Sequence, residues 1–260
     1  MQIGAMNHPG RNPIEEIDWI GENGFDFVDF TLEPPTAAPE QVDAAAVRSA
    51  LQRHGLGVVA HTAYYLPISS PFTVVRQASL EAFRFALSAS KEIGATVMNT
   101  HYRRLPPFFS SEQAVEWHAE VLTPLCEEAA DLGVTIVMEH APHGGQDQLE
   151  NCVAIMEKVP LLRFHLDSGH TKVERHYDRW DEYLERLGDK LLHVHLSDND
   201  GTEDQHLPLG APRSGTNWPD HIRKLKATGY DGTITLEVFS PQREHLLLSR
   251  DLLREWWDEG

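Results

Sequence analysis

Six side chains that can ligate a transition metal each close an apolar run: His61 after 56–60, His101 after 95–100, Glu139 after 134–138, Asp167 after 162–166, His195 after 191–194 and Glu237 after 233–236. His170 follows Asp167 by three positions, and Asp204 and His206 form a pair in the polar stretch 198–217. Deprotonated imidazoles and carboxylates are the ligand types of zinc and manganese sites. Carboxylates also serve as general acids and bases. An ionised carboxylate at the edge of a core must be paired or coordinated, so Glu139 at the end of Val134-Thr135-Ile136-Val137-Met138 is not a packing residue.

These groups need elements that bring distant parts of the chain together. A β-branched apolar run reads as a buried strand of a parallel sheet. Eight such runs are present, at 2–7, 25–33, 56–61, 95–101, 134–139, 162–167, 191–196 and 233–238. Helical patterns lie between them, at 14–22, 39–54, 73–93, 110–132, 149–158, 179–187 and 218–229, and a last one closes at Trp257. Pro13 and Ser110-Ser111-Glu112-Gln113 mark helix starts, and Gly55, Gly94, Gly133 and Gly188 mark ends. Eight alternating βα units over 260 residues, without a composition break, imply one (β/α)8 barrel domain over 1–260. In a barrel the functional groups sit at the C-terminal strand ends, where these six residues fall. An open doubly wound sheet is the second choice of fold, but its dinucleotide form wants a G-x-G-x-x-G turn and none occurs.

Strand parity orders the histidines. His193 shares a face with His195, and His165 with Asp167, so His165 and His193 lie one layer deeper in the barrel. His140 has the opposite parity to Glu139 and points to the helices or loops. His54, His118, His176, His221 and His245 fall on helices or loops and read as surface residues. Trp19, Trp117 and Trp180 read as core.

The formal net charge of −18 disfavours contact with a nucleic-acid backbone. No apolar run approaches the ~20 residues of a membrane span. Residues 1–12 lack a signal-peptide pattern. Two cysteines, Cys126 and Cys152, make no disulfide framework, so a reducing, cytoplasmic setting is expected. Self-association is left open.

The segments Val137-Met138-Glu139-His140, His165-Leu166-Asp167-Ser168-Gly169-His170, His193-Val194-His195-Leu196-Ser197-Asp198 and Asp204-Gln205-His206-Leu207-Pro208-Leu209-Gly210 resemble the xylose isomerase-like TIM-barrel superfamily, which holds sugar phosphate isomerases and epimerases and endonuclease IV. The resemblance spans the whole chain. It implies one divalent ion, zinc or manganese, on Glu139, Asp167, His195 and Glu237. By likeness to endonuclease IV, His61, His101, His170, Asp204 and His206 would complete a set for up to three ions. It also implies a sugar, sugar phosphate or keto-polyol isomerase or epimerase working by proton transfer through a metal-stabilised enediolate. Glu139 and Glu237 would then be the acid/base pair, and His170 would touch substrate hydroxyls or a second ion. Arg103, Arg104 and Arg213 are candidates for a substrate anion, and Trp218 or Tyr64 for a cover over the sugar. Two other readings use the same site: a multi-zinc phosphodiesterase on abasic DNA, and a keto-sugar dehydratase or lyase. The loop 210–218 is longer and less acidic than the short turn of the isomerase-like members.

Overall fold

A computed structural model describes residues 1–142, 148–173 and 177–259. Among the described residues eight strands alternate with eight α-helices: β1 (Gln2–Met6), α1 (Pro13–Glu22), β2 (Phe27–Leu32), α2 (Ala44–His54), β3 (Gly57–Thr62), α3 (Thr73–Ile93), β4 (Val97–His101), α4 (Ser111–Asp131), β5 (Thr135–Glu139), α5 (Gln148–Lys158), β6 (Arg163–Asp167), α6 (Trp180–Leu187), β7 (Leu191–Leu196), α7 (Trp218–Ala227), β8 (Thr233–Leu236) and α8 (Glu244–Glu259). The strands are parallel and close in sequence order, β8 pairing with β1. Asn12 caps α1 ahead of Pro13, and Ser110 with Gln113 forms a capping box on α4. α2 starts at Ala44 and not at 39, because the Asp43 side chain caps it by accepting from Ala46 N–H at 3.0 Å. β2 begins at Phe27 and β8 ends at Leu236, each two residues inside the expected run.

Period-two alternation splits each strand between two cores. Ile136 and Met138, Phe164 and Leu166, and Val194 and Leu196 are buried in the apolar core shared with the helices. The opposite faces fill the barrel. At its floor a side chain on Gly4 would meet the Phe27 ring at 2.4 Å, so glycine there leaves room for the phenyl plug. Above it lie His193, 6.1 Å from that ring, and His165, with ring centroids 4.6 Å apart. Register then sets Asp167 beside His195 and His101 beside Glu139 at the mouth. Among the described residues no helix is long and apolar enough to cross a membrane.

Two histidines expected at the surface are buried. His221 bonds Asp178 at 3.0 Å and packs 5.0 Å from Trp180. His118 falls on the apolar stripe of α4 with Ala114, Leu122 and Leu125, a spacing that puts it in the core. It stacks on Tyr102 at 4.7 Å, its Nδ1–H donates to Ala114 O at 2.7 Å, and its Nε2 accepts from Arg103 N–H at 3.0 Å. That leaves no place for a second proton, and burial pushes its pKa from 6.5 down to about 4. The unfolded chain therefore binds a proton that the fold refuses between these values, and stability falls as pH falls through that window. The expected loss is roughly 3 kcal/mol, and His118→Gln should remove it. Denaturant melts of both proteins at pH 7 and pH 4 measure the difference; parallel losses would show that another group sets it. His176 lies outside the described residues.

Candidate active site

Glu139 and Asp167 end β5 and β6, His195 is the last residue but one of β7, and Glu237 follows β8 directly; one ligand atom from each lies within 4.8 Å of the others. All four are buried. His195 Nδ1 is 3.2 Å from Glu237 Oε2 and 3.8 Å from Asp167 Oδ2. Asp167 Oδ2 is buried and has no hydrogen-bond partner among the described residues. Burial, with Glu237, Glu139 and Asp204 as neighbours, raises the Asp167 carboxyl to about 7. Burial opposes charge on His195, yet Glu237 and Asp29 outweigh it and raise the imidazole well above its usual value. Three crowded carboxylates and an imidazole at their centre are the donor types that a divalent cation takes. The residues present fit such an ion.

Around this cluster stand the other expected residues. His61 and His101 have Nε2 atoms 3.1 Å apart, and His101 Nε2 is 3.1 Å from Glu139 Oε2. These three form a further group of ligand atoms within 4.8 Å. The Asp167-Ser168-Gly169-His170 turn is tight: His170 N–H donates to Asp167 Oδ1 at 2.9 Å, and a Cβ on Gly169 would meet Ser197 Oγ at 2.8 Å. His170 Nδ1–H donates to His140 O at 2.6 Å, which turns Nε2 to Asp204 Oδ2 at 3.1 Å. His206 also reaches Asp204 Oδ2, at 3.3 Å, and Glu237 Oε2 at 3.5 Å. Burial opposes charge on His206, but Glu237 and Asp204 push its pKa up to about 9. Its backbone is left-handed (φ 47°), a strained conformation for a non-glycine residue. It is pinned there by Phe239 N–H donating to His206 O at 3.0 Å.

Strand reading missed Asp29, on the inward face of β2 with Thr31. It is fully buried. Its Oδ2 accepts from His195 Nε2–H at 2.7 Å, Thr235 Oγ1 at 2.8 Å and His193 Nε2 at 3.2 Å. This carboxylate fixes the His195 ring and aims Nδ1 at the cluster, as metal-bound imidazoles require. Its signal was available: one carboxylate in a strand otherwise apolar or hydroxylic. Asp29→Asn is expected to weaken binding of zinc or manganese by roughly 10–100-fold, read by chelator competition. Unchanged affinity would reduce Asp29 to a packing residue.

The whole mouth opens into a cavity of about 800 Å³. Residues 17–258 match the family model described as Xylose isomerase-like TIM barrel. The chain belongs to this family. Methanocaldococcus jannaschii protein MJ1311 is 27% identical over 189 residues, covering 70% of this chain and 63% of that protein. The fructoselysine 3-epimerase of Escherichia coli O157:H7 is 26% identical over 172 residues, covering 63% of this chain and 60% of the enzyme. The match thus spans about three fifths of the length of these curated relatives. Among solved structures, the TTHB071 protein from Thermus thermophilus, soaked with ZnCl2, is 26% identical with a TM-score of 0.78, covering 100% of this chain and 99% of that one. A D-tagatose 3-epimerase-like protein superposes with a TM-score of 0.87 at 23% identity, covering 100% of this chain and 98% of that one.

In this xylose isomerase-like barrel the expected anion and sugar contacts are only partly met. Arg103 and Tyr64 line the cavity, with Arg103 Nη1 donating to Tyr64 O at 3.0 Å. Arg213 is exposed and does not line the cavity, and Arg104 is likewise exposed outside it. Trp218 is no sugar platform: it is 2% exposed, stacks on Trp256 at 6.1 Å, and donates Nε1–H to Asp198 at 2.9 Å. The end of the long loop 198–217 is therefore tied inward at Trp218, while Asp204 and His206 of the same loop line the cavity. Trp19, read as core, is half-buried and lines the cavity.

Proposed function

We propose that this chain is a divalent-metal-dependent ketose epimerase, inverting the carbon next to the carbonyl. The observation that carries the reading is the convergence of Glu139, Asp167, His195 and Glu237, with Glu139 and Glu237 lining a roomy cavity. Membership of the family supports it, as does likeness to a fructoselysine 3-epimerase. Glu139, Asp167, His195 and Glu237 would hold the ion, which supplies Lewis acidity towards the carbonyl and its neighbouring hydroxyl oxygen.

The rest falls to the chain's own groups. Glu139 and Glu237 project from β5 and from the end of β8, three strands apart, and so reach a bound ketose from different sides. One carboxylate takes the α-proton, and the electron pair of the broken C–H bond moves onto the carbonyl oxygen. The other carboxyl returns a proton to the opposite face of the carbon. His101, Asn99 and His170 surround Glu139; Asn99 Nδ2–H donates to its Oε2 at 3.0 Å, holding it ionised as a base. Asp167 and His195, locked by His170 N–H and Asp29, keep the ligand frame rigid. His61, His101 and His170 face the cavity and are placed to bond sugar hydroxyls.

Incubation with D-fructose or D-tagatose in D2O, with manganese or zinc supplied, tests the reading. Deuterium at C3 with appearance of the epimer is expected; no exchange with any ketose would overturn it. The adjacent group His61, His101 and Glu139 favours a second reading, a phosphodiesterase using several ions. Three tightly bound zinc ions per chain and nicking of abasic DNA would support that instead.

A further inference from the structure

The cavity continues past the carboxylate cluster. Beyond Glu237 and Phe239 its walls are Trp19 and Ile20 of α1 and Leu246 of α8, with Arg11, Glu16 and Arg243 beside them. It thus enters the seam where the last helix meets the first. At about 800 Å³ it lies high in the roughly 300–1,000 Å³ range that accommodates drug-sized ligands. A lone hexose is much smaller than such a ligand.

The seam is joined by guanidinium groups. Arg254 donates to Gly24 O at 2.8 Å, and Arg250 lies 5.5 Å over Phe25 and bonds Asn23 O. At the cavity end Arg243 lies 4.5 Å over the Trp19 ring and pairs with Glu16. Arg11 approaches the same carboxylate at 3.6 Å, and His8 N–H donates to it at 3.3 Å. Two guanidiniums share one buried carboxylate, which leaves a net positive charge in a chain of net charge −18. The Arg11 and Arg243 side chains keep 54% and 30% of their surface exposed, so both have donors to spare. Of the other charged groups lining the cavity away from the cluster, Arg103 is turned to Tyr64 O, and Glu33 lies near Tyr65, whose hydroxyl burial and this carboxylate push up.

We propose that the substrate is a ketose carrying an anionic substituent, with Arg11 and Arg243 holding the anion in the α1–α8 seam while the sugar carbons lie over the carboxylate cluster. This rests on the epimerase reading above and names its substrate class. Phosphate and carboxylate share the chemistry, since each offers oxygens to a guanidinium fork.

Calorimetric titration of the metal-loaded full chain with D-fructose, D-fructose 6-phosphate and fructosyl-glycine separates them. One of the two anionic sugars should bind about ten-fold or more tighter than fructose, as expected for a charge-assisted contact. Which one does so identifies phosphate or carboxylate. The double variant Arg11→Met, Arg243→Met should bring that ratio close to one. Glu16→Gln releases both guanidiniums and should raise the ratio, a gain that a damaged fold does not produce. Equal binding of all three sugars by the wild type, or a preference that survives in the double variant, would overturn the proposal. Deuterium exchange is scored separately: its absence with every sugar sinks the epimerase reading, while the binding ratios judge the seam alone.

Discussion

Glu139→Gln and Glu237→Gln should each lower deuterium incorporation into a ketose by about 10³-fold or more, the upper part of what general acid–base catalysis contributes. Glutamine keeps the size and one acceptor oxygen but can neither take nor return the α-proton. It also removes one of the charges that hold a cation. The fold should survive, because glutamine keeps the shape and the loss of an imidazole's partner is offset by relief of repulsion on Asp167, whose carboxyl Glu139 and Glu237 both raise after burial itself. Melting curves of the metal-free variants check this point. Exchange retained at wild-type rates in either variant would remove that residue from the acid/base pair.

Asp198→Ala is expected to destabilise the protein by about 3–5 kcal/mol, the cost of leaving a buried charge without its partner. The Asp198 carboxylate is fully buried. Its Oδ1 accepts from Lys172 Nζ at 3.0 Å and Thr216 Oγ1 at 2.8 Å. Its Oδ2 accepts from Trp218 Nε1–H at 2.9 Å and from the amides of Gly210 and Ala211 at 3.0 and 3.2 Å. One side chain therefore closes the loop 198–217 on both strands, and that loop carries Asp204 and His206 to the mouth. Among the described residues, alanine would leave Lys172 buried with Ser214 O and Thr216 Oγ1. Thermal unfolding of the wild type and variant measures the effect. A loss below about 1 kcal/mol, the range of ordinary surface changes, would show that the loop is held by other contacts.

The strand-end residues were legible because a parallel barrel forces them together. Any Glu, Asp or His at the last inward position of a strand reaches the same rim, wherever it stands in the chain. Glu139, Asp167 and His195 needed only period two and the end of an apolar run. Asp29 escaped because it sits in the middle of β2, where no run ends, and its meaning comes from β7 and β8, which meet it only across the barrel. The fate of the loop 198–217 was hidden for a similar reason. Trp218 and Arg213 look alike as loop residues near the mouth, and only the Asp198 hub turns the indole inward. His118 was misread through weight given to its polarity over its position: helical spacing with Ala114 and Leu122 already placed it inside. The α1–α8 seam could not be read from the sequence at all, since it joins the two ends of the chain.

Anomalous diffraction from a crystal grown with zinc or manganese tests the central claim most directly. A strong peak bonded to Glu139, Asp167, His195 and Glu237 together is the expected result. A metal bound elsewhere with these four side chains unliganded, or no ion at saturating metal, would contradict it.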